Sequence, residues 1–189
     1  MLVVVTGTPG VGKSTIAQLL ASRLDALHID LSRLIVEERL IAEQDSLRET
    51  QIADIEKTIA RVNQLLEHEQ RTVIVEGHFA SDIMVEHDVK YVFILRRDPW
   101  ELKRELESRD YGSRKVWENV MAEVLGVCLS DAVSAFGELR LSEIDVTRLA
   151  PEEVVQLMVS VVDSGVPIGI GKVDWLSLPG IEVLCEEPS

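Results

Sequence analysis

Residues 7–15, Gly7-Thr8-Pro9-Gly10-Val11-Gly12-Lys13-Ser14-Thr15, carry the most specific chemistry in the chain. They fit G-x-x-x-x-G-K-[ST] in full, directly after the apolar run Leu2–Thr6 and before an amphipathic stretch starting at Lys13, which is the context the motif requires. Its glycines let successive backbone N–H groups turn inward onto phosphate oxygens, and the helix that follows adds partial positive charge at its N-terminus. Gly10, Val11, Gly12, Lys13, Ser14 and Thr15 are therefore expected to bind nucleotide phosphates. Lys13 would reach the β- and γ-phosphates, and the Ser14 hydroxyl would ligate Mg²⁺. ATP and Mg²⁺ are the ligands this pattern predicts.

A second candidate is Glu76, at the end of the apolar run Val73-Ile74-Val75. A carboxylate there is where a phosphate-loop protein holds Mg²⁺, directly or through a bound water. His78 follows two residues later. Alone, a histidine after a strand is more often a turn residue than a catalytic one.

The third is a concentration of charge. Seven bases and five acids between Arg96 and Lys115 leave that window at +2, while the rest of the chain stands at −16. Guanidinium groups bind phosphate bidentately and stabilise charge that develops during phosphoryl transfer. Lys103 and Arg104 read as helix-surface pairing with nearby glutamates. Arg109, in the loop-like Arg109-Asp110-Tyr111-Gly112, is the better candidate for a mobile lid over ATP.

Periodicity supplies the elements that must position these groups. Strands are predicted at Leu2–Thr6, Ala26–Ile29, Thr72–Glu76, Val89–Leu95 and Ile144–Thr147. Helices are predicted from Lys13 to Arg23, over Ser32–Arg48, within Thr50–Glu69, over Pro99–Ser108, along Val116–Cys128 and over Pro151–Asp163. Strands separated by helices imply an α/β fold with a parallel sheet covered on both faces. Residues 1–164 read as one domain and 165–189 as an extension packing on it. Gly169-Ile170-Gly171-Lys172 lacks the spacing of a second phosphate loop and reads as a turn before a short run, Val173–Leu176.

Composition narrows the class. The chain has 189 residues, 46% hydrophobic and 28% charged, which excludes a disordered tail and a small disulfide scaffold. Its net charge of −14 disfavours non-specific binding to nucleic acid or an anionic membrane. No membrane contact and no sequence-specific DNA binding are expected. The apolar runs are too short to cross a bilayer, and Cys128 and Cys185 match no metal or redox spacing. A reducing cytoplasm is the expected location.

These residues together resemble a known family. Thr6–Thr15, Glu76-Gly77-His78, Leu95-Arg96-Arg97-Asp98-Pro99 and the block Arg109-Asp110-Tyr111-Gly112-Ser113-Arg114-Lys115-Val116-Trp117-Glu118-Asn119 are similar to the adenylate kinase isoenzyme 6 family. The last block is the most discriminating, and the resemblance covers residues 1–163. It implies a nucleoside monophosphate kinase fold with a five-stranded parallel sheet, a monophosphate-binding lobe over about residues 30–53 and a short lid over about 108–118. It implies ATP and a nucleoside monophosphate, AMP favoured, as substrates. It also implies ATPase activity and a role in small ribosomal subunit maturation, through a basic small-subunit ribosomal protein and pre-ribosomal particles. Lys13, Glu76, His78 and Arg109 become the catalytic set, and the monophosphate falls to Asp30 with either Arg33 or Arg39. Two positions depart from the family pattern. Glu76 stands where Asp is usual, and Ser32-Arg33-Leu34-Ile35-Val36-Glu37 replaces G-D-L-x-x-E.

Overall fold

Alternating valines and isoleucines build the centre of the molecule, because successive strand residues point to opposite faces and both faces are covered. The computed structural model describes residues 1–45 and 50–188. The elements run β1 (Leu2–Thr6), α1 (Lys13–Leu24), β2 (Leu27–Asp30), α2 (Leu31–Glu38), β3 (Ile41–Asp45), β4 (Thr50–Ala53), α3 (Ile55–Leu66), β5 (Val73–Glu76), α4 (Ala80–Met84), β6 (Tyr91–Arg96), α5 (Pro99–Glu107), α6 (Ser113–Val124), α7 (Val127–Phe136), β7 (Leu141–Asp145), α8 (Pro151–Ser164) and α9 (Ile181–Cys185). Five parallel strands form one sheet in the order β2-β5-β1-β6-β7.

Val3, Val5, Ile74, Phe93 and Leu95 face one side, where α1, α5, α6 and α8 contribute Leu20, Leu106, Val120 and Met158. Val4, Val75, Val92 and Ile94 face the other, against Val62 of α3, Ile83 and Met84 of α4 and Ala132 of α7. Each such buried aliphatic side chain contributes about 1.5–3 kcal/mol over its exposed state. β1 sits between β5 and β6, so the loop after it emerges where the chain order reverses, the usual ligand crevice of an open α/β sheet.

The structure corrects several sequence expectations. Ser32–Arg48 is not one helix: α2 stops at Glu38, where Arg39 takes a left-handed φ of 54°. β3 follows and pairs antiparallel with β4, so the expected helix within Thr50–Glu69 starts only at Ile55, capped by the Asp54 carboxylate. Arg48 lies outside the described residues. The expected helix through Cys128 is two, α6 and α7, bent by 52° at Gly126 (φ 66°). The last strand lies at Leu141–Asp145, earlier than Ile144–Thr147, and α4 was not anticipated. In the C-terminal extension Gly169 bridges to Ser142 beside β7, and Ile181 and Leu184 enter the core. Among the described residues no single helix is long and apolar enough to cross a membrane.

Candidate active site

The loop between β1 and α1 is held by its glycines. At Gly7 (φ 143°) a Cβ would stand 2.4 Å from the Leu95 carbonyl oxygen, and at Gly10 (φ 95°) it would meet Leu102 and Leu106 within 2.9 Å. Only glycine lets the loop approach β6 and α5 this closely. Val11 is buried in the core and anchors the loop, its N–H donating to the Thr8 carbonyl at 3.3 Å. Lys13 Nζ donates to the carbonyls of Gly7 (2.8 Å) and Thr8 (3.1 Å), folding back across the loop. Burial lowers its pKa, against the raising influence of Cys128, Glu76, Glu123 and Asp30.

One cleft opens at the carboxyl ends of the strands, and a second runs from there along β2 to its amino end. The first, about 470 Å³, is lined by Gly10, Lys13 and Ser14 of the loop, by Asp30, by Glu76 and His78, and by Arg109, Tyr111, Lys115 and Asn119. The second, about 650 Å³, runs between α1 and α2 along β2, with Gln18, His28, Arg33 and Glu37 on its walls. Ser14 and Asp30 line both.

Glu76 ends β5 at 2% exposure, and its Oε1 has no hydrogen-bond partner among the described residues. His28 Nε2 approaches that oxygen at 3.6 Å. Desolvation would raise the Glu76 carboxyl, but His28, Ser14 and the charge of Lys13 outweigh it and hold its pKa below the ordinary value. An ionised, buried, unsatisfied carboxylate oxygen beside a Ser14 hydroxyl fits a hard cation. Among the described residues no cluster of three or more acidic, His or Cys side chains is placed to hold a metal. Mg²⁺ is commonly held by one or two protein oxygens, substrate phosphates and water, and Ser14 and Glu76 would supply the protein oxygens.

His78 stands at the cleft rim. Its carbonyl accepts from Thr6 Oγ1 (3.5 Å), and its ring packs edge-on against Phe79 at 4.6 Å. Desolvation by the cleft walls, then the Lys13 charge, push its pKa down to about 4, so the imidazole is neutral near pH 7. Arg109 follows α5 and donates through Nε (2.9 Å) and Nη2 (2.7 Å) to Glu105. Lys115 Nζ lies 4.5 Å from the centre of the Tyr111 ring, and Asn119 Nδ2 donates to the Lys115 carbonyl at 2.6 Å.

Comparison with known proteins places the chain in a family. A family model described as an AAA domain matches residues 3–126. A protein of Sulfurisphaera tokodaii named "Putative adenylate kinase" is 36% identical over 97% of this chain and 90% of its own length. Proteins of the same name from Methanococcus maripaludis (32% identical, 93% and 96% covered) and Pyrococcus abyssi (33%, 93% and 91%) match as fully. The chain belongs to this archaeal adenylate kinase-like family. Solved structures of a shikimate kinase from Bacteroides thetaiotaomicron (TM-score 0.57, 19% identical, 86% and 98% covered) and a gluconokinase from Sinorhizobium meliloti (TM-score 0.57, 16%, 87% and 92%) share the α/β phosphate-loop kinase fold.

Within that family frame, Gly10, Lys13, Ser14, Asp30, Glu76, His78 and Arg109 line one cleft. Thr15 is exposed on the first turn of α1. Arg33 lines the second cleft, with its guanidinium paired to Glu37 at 2.7 Å. Arg39 is exposed at the end of α2 and lines neither cleft. Asp30 caps α2 by accepting from the Arg33 N–H at 3.0 Å, and it lines both clefts. Tyr111, Lys115 and Asn119 were visible in sequence only as parts of a motif. Lys115 and Asn119, four residues apart on α6, share one helical face, and Tyr111 joins them from the loop just before the helix. The short segment Ser108–Gly112 and the first turn of α6 form the wall opposite Glu76.

Proposed function

We propose that the protein transfers the γ-phosphoryl group of ATP to a nucleoside monophosphate, AMP in preference, giving two nucleoside diphosphates. One observation carries this reading: a phosphate-loop cleft and a second cleft of comparable size share Ser14 and Asp30 as their common wall. A donor in the first and an acceptor in the second would meet there. The family's name and the Arg109–Asn119 block favour a nucleotide over a sugar or shikimate as acceptor.

The acceptor is a phosphate oxygen already ionised at neutral pH, so no general base is required. The work of the residues is positioning and electrostatics. The loop N–H groups and Lys13 orient the phosphates of ATP. Ser14 and Glu76 would hold Mg²⁺, directly or through water. When bound, that ion neutralises charge on the phosphates. Arg109 and Lys115 close the cleft from the opposite wall, and Arg33 supplies a cation to the monophosphate side.

ATPase activity belongs to the same proposal. His78 is neutral and rim-exposed, which suits orienting a water when no acceptor fills the second cleft. The family resemblance extends the proposal to small ribosomal subunit maturation, with a basic ribosomal protein as partner. The net charge of −14 is compatible with such a partner. Steady-state rates with AMP, CMP, UMP, GMP, shikimate, gluconate and no acceptor test the central reading. AMP should give the highest transfer rate. A faster rate with shikimate or gluconate would overturn it. Pull-down with and without ATP tests the partner.

A further inference from the structure

Three buried charges lie behind the phosphate loop, where the cleft does not use them. Arg96 at the end of β6, Glu123 in α6 and Glu143 in β7 are each 3% exposed or less. The Arg96 guanidinium donates through Nε to Glu123 Oε1 (2.8 Å), through Nη1 to Glu143 Oε1 (2.7 Å) and through Nη2 to the Glu123 carbonyl (2.8 Å). One guanidinium thus serves two carboxylates, an arrangement that is costly to bury unless further donors complete it.

The further donors come largely from the two ends of the chain. Thr8 Oγ1, in the phosphate loop, donates to Glu123 Oε2 at 2.6 Å. Trp175 Nε1 donates to Glu123 Oε1 at 2.9 Å, and the N–H groups of Gly171 and Lys172 donate to Glu143 Oε2 at 2.8 and 3.0 Å. The Arg97 N–H adds one more to Glu123 Oε1 at 3.1 Å. The C-terminal segment is fixed in place: Gly169 exchanges backbone hydrogen bonds with Leu141 and Glu143, and Trp175 is buried to 8% exposure. Thr8 meanwhile accepts from Lys13 Nζ through its carbonyl (3.1 Å). A continuous chain of hydrogen bonds therefore runs Trp175–Glu123–Thr8–Lys13.

We propose that the segment from Gly169 to Trp175 is a working part of the nucleotide site, with Trp175 and Glu123 as positioning residues that set the Thr8 end of the phosphate loop. The proposal rests on reading that loop as the ATP site. Neither residue touches the cleft, so their effect is on loop geometry and is felt first in ATP affinity.

The test is binding of Mg·ATP to the full chain by calorimetry, with no acceptor present. Trp175→Phe keeps the ring and removes the N–H. It should weaken ATP about tenfold, the equivalent of about 1.4 kcal/mol, while the KM for the monophosphate stays within about twofold. Trp100→Phe is the reference, since Trp100 sits on α5 outside the lid and lines neither cleft, and it should leave ATP affinity unchanged. Thr8→Val should also weaken ATP, and the double variant Thr8→Val/Trp175→Phe should bind no more weakly than the weaker single, because both act through Glu123. Wild-type affinity in a Trp175→Phe protein that merely melts earlier would overturn the proposal, as would losses that multiply in the double variant. Should Trp175→Phe not fold, Trp175 emission in a Trp100→Phe/Trp117→Phe chain replaces it. Saturating ATP must shift that emission, and an unmoved spectrum overturns the proposal. A wild-type chain that binds no ATP would instead overturn the reading of the loop itself.

Discussion

Asp30 and Glu76 are register partners at the ends of the adjacent parallel strands β2 and β5, so two carboxylates stand side by side below Ser14. Their environments drive them apart. Desolvation, together with the charge of Glu76, raises the Asp30 pKa, even though the Arg33 N–H favours its ionised form. Glu76 is held low by His28, Ser14 and Lys13 despite its burial. Glu76 is thus the carboxylate held more firmly in its ionised form, and Asp30 the one that lines both clefts and caps α2.

Glu76→Gln removes that charge and keeps the shape. The concentration of Mg²⁺ for half-maximal transfer should rise about 10- to 100-fold, the usual cost of losing a group that supports a metal. Rates against Mg²⁺ check this. An unaltered Mg²⁺ dependence would remove Glu76 from the metal site.

Lys13→Ala should abolish transfer and ATP hydrolysis together. The Lys13 ammonium is tied to the carbonyls of its own loop, so the melting temperature should move little. Each charge-assisted hydrogen bond it makes to phosphate is worth about 1.5–3 kcal/mol. Near-wild-type turnover would show that residues 7–15 do not bind the nucleotide.

The sheet and the phosphate loop were legible because their signals are local: apolar runs buried on both faces, and a motif whose glycines are required by contacts as close as 2.4 Å. The β3–β4 pair was not. Its strands are short and polar, and they resemble helix in a periodicity count, whereas the Arg39 left-handed cap that ends α2 leaves no distinctive residue behind. Gly126, in the left-handed region at φ 66°, is where the expected long helix breaks, a turn that the apolar stripe on either side does not reveal. Glu123 and Glu143 look like ordinary surface acids in sequence. Only the fold brings Arg96, 27 and 47 residues away, to meet them, so a buried ionic cluster is invisible before the tertiary contacts are known.

Arg109→Ala should lower kcat about a hundredfold while changing ATP affinity much less, because a lid guanidinium acts on charge that develops during transfer. In the structure Arg109 is paired with Glu105 and its side chain is 47% exposed. Exposed pairs of this kind are worth about 0.2–1 kcal/mol, so turning toward a phosphate costs little. Arg104→Ala, on the exposed face of α5, should leave both parameters near wild type. Equal losses in the two variants would place the lid elsewhere.

His78→Ala separates the two activities assigned to one cleft. Transfer to AMP needs neither a water nor a base, so it should fall by no more than a few-fold. Hydrolysis without acceptor depends on how water is held, and it should fall strongly, about 10²-fold if the ring acts as a positioned hydrogen-bonding group. The imidazole titrates at about 4 rather than its ordinary 6.5, so the wild-type ATPase should show no inflection near 6.5 from this residue. Its neighbour Glu76 offers a competing explanation, because loss of the ring can disturb the metal site two residues away. Mg²⁺ titration distinguishes the two. A disturbed metal site regains activity at high Mg²⁺ and loses both rates together at low Mg²⁺, whereas a missing water-orienting group does neither. An ATPase rate unchanged in His78→Ala would return this histidine to a packing role against Phe79 and leave water orientation to another group in the cleft.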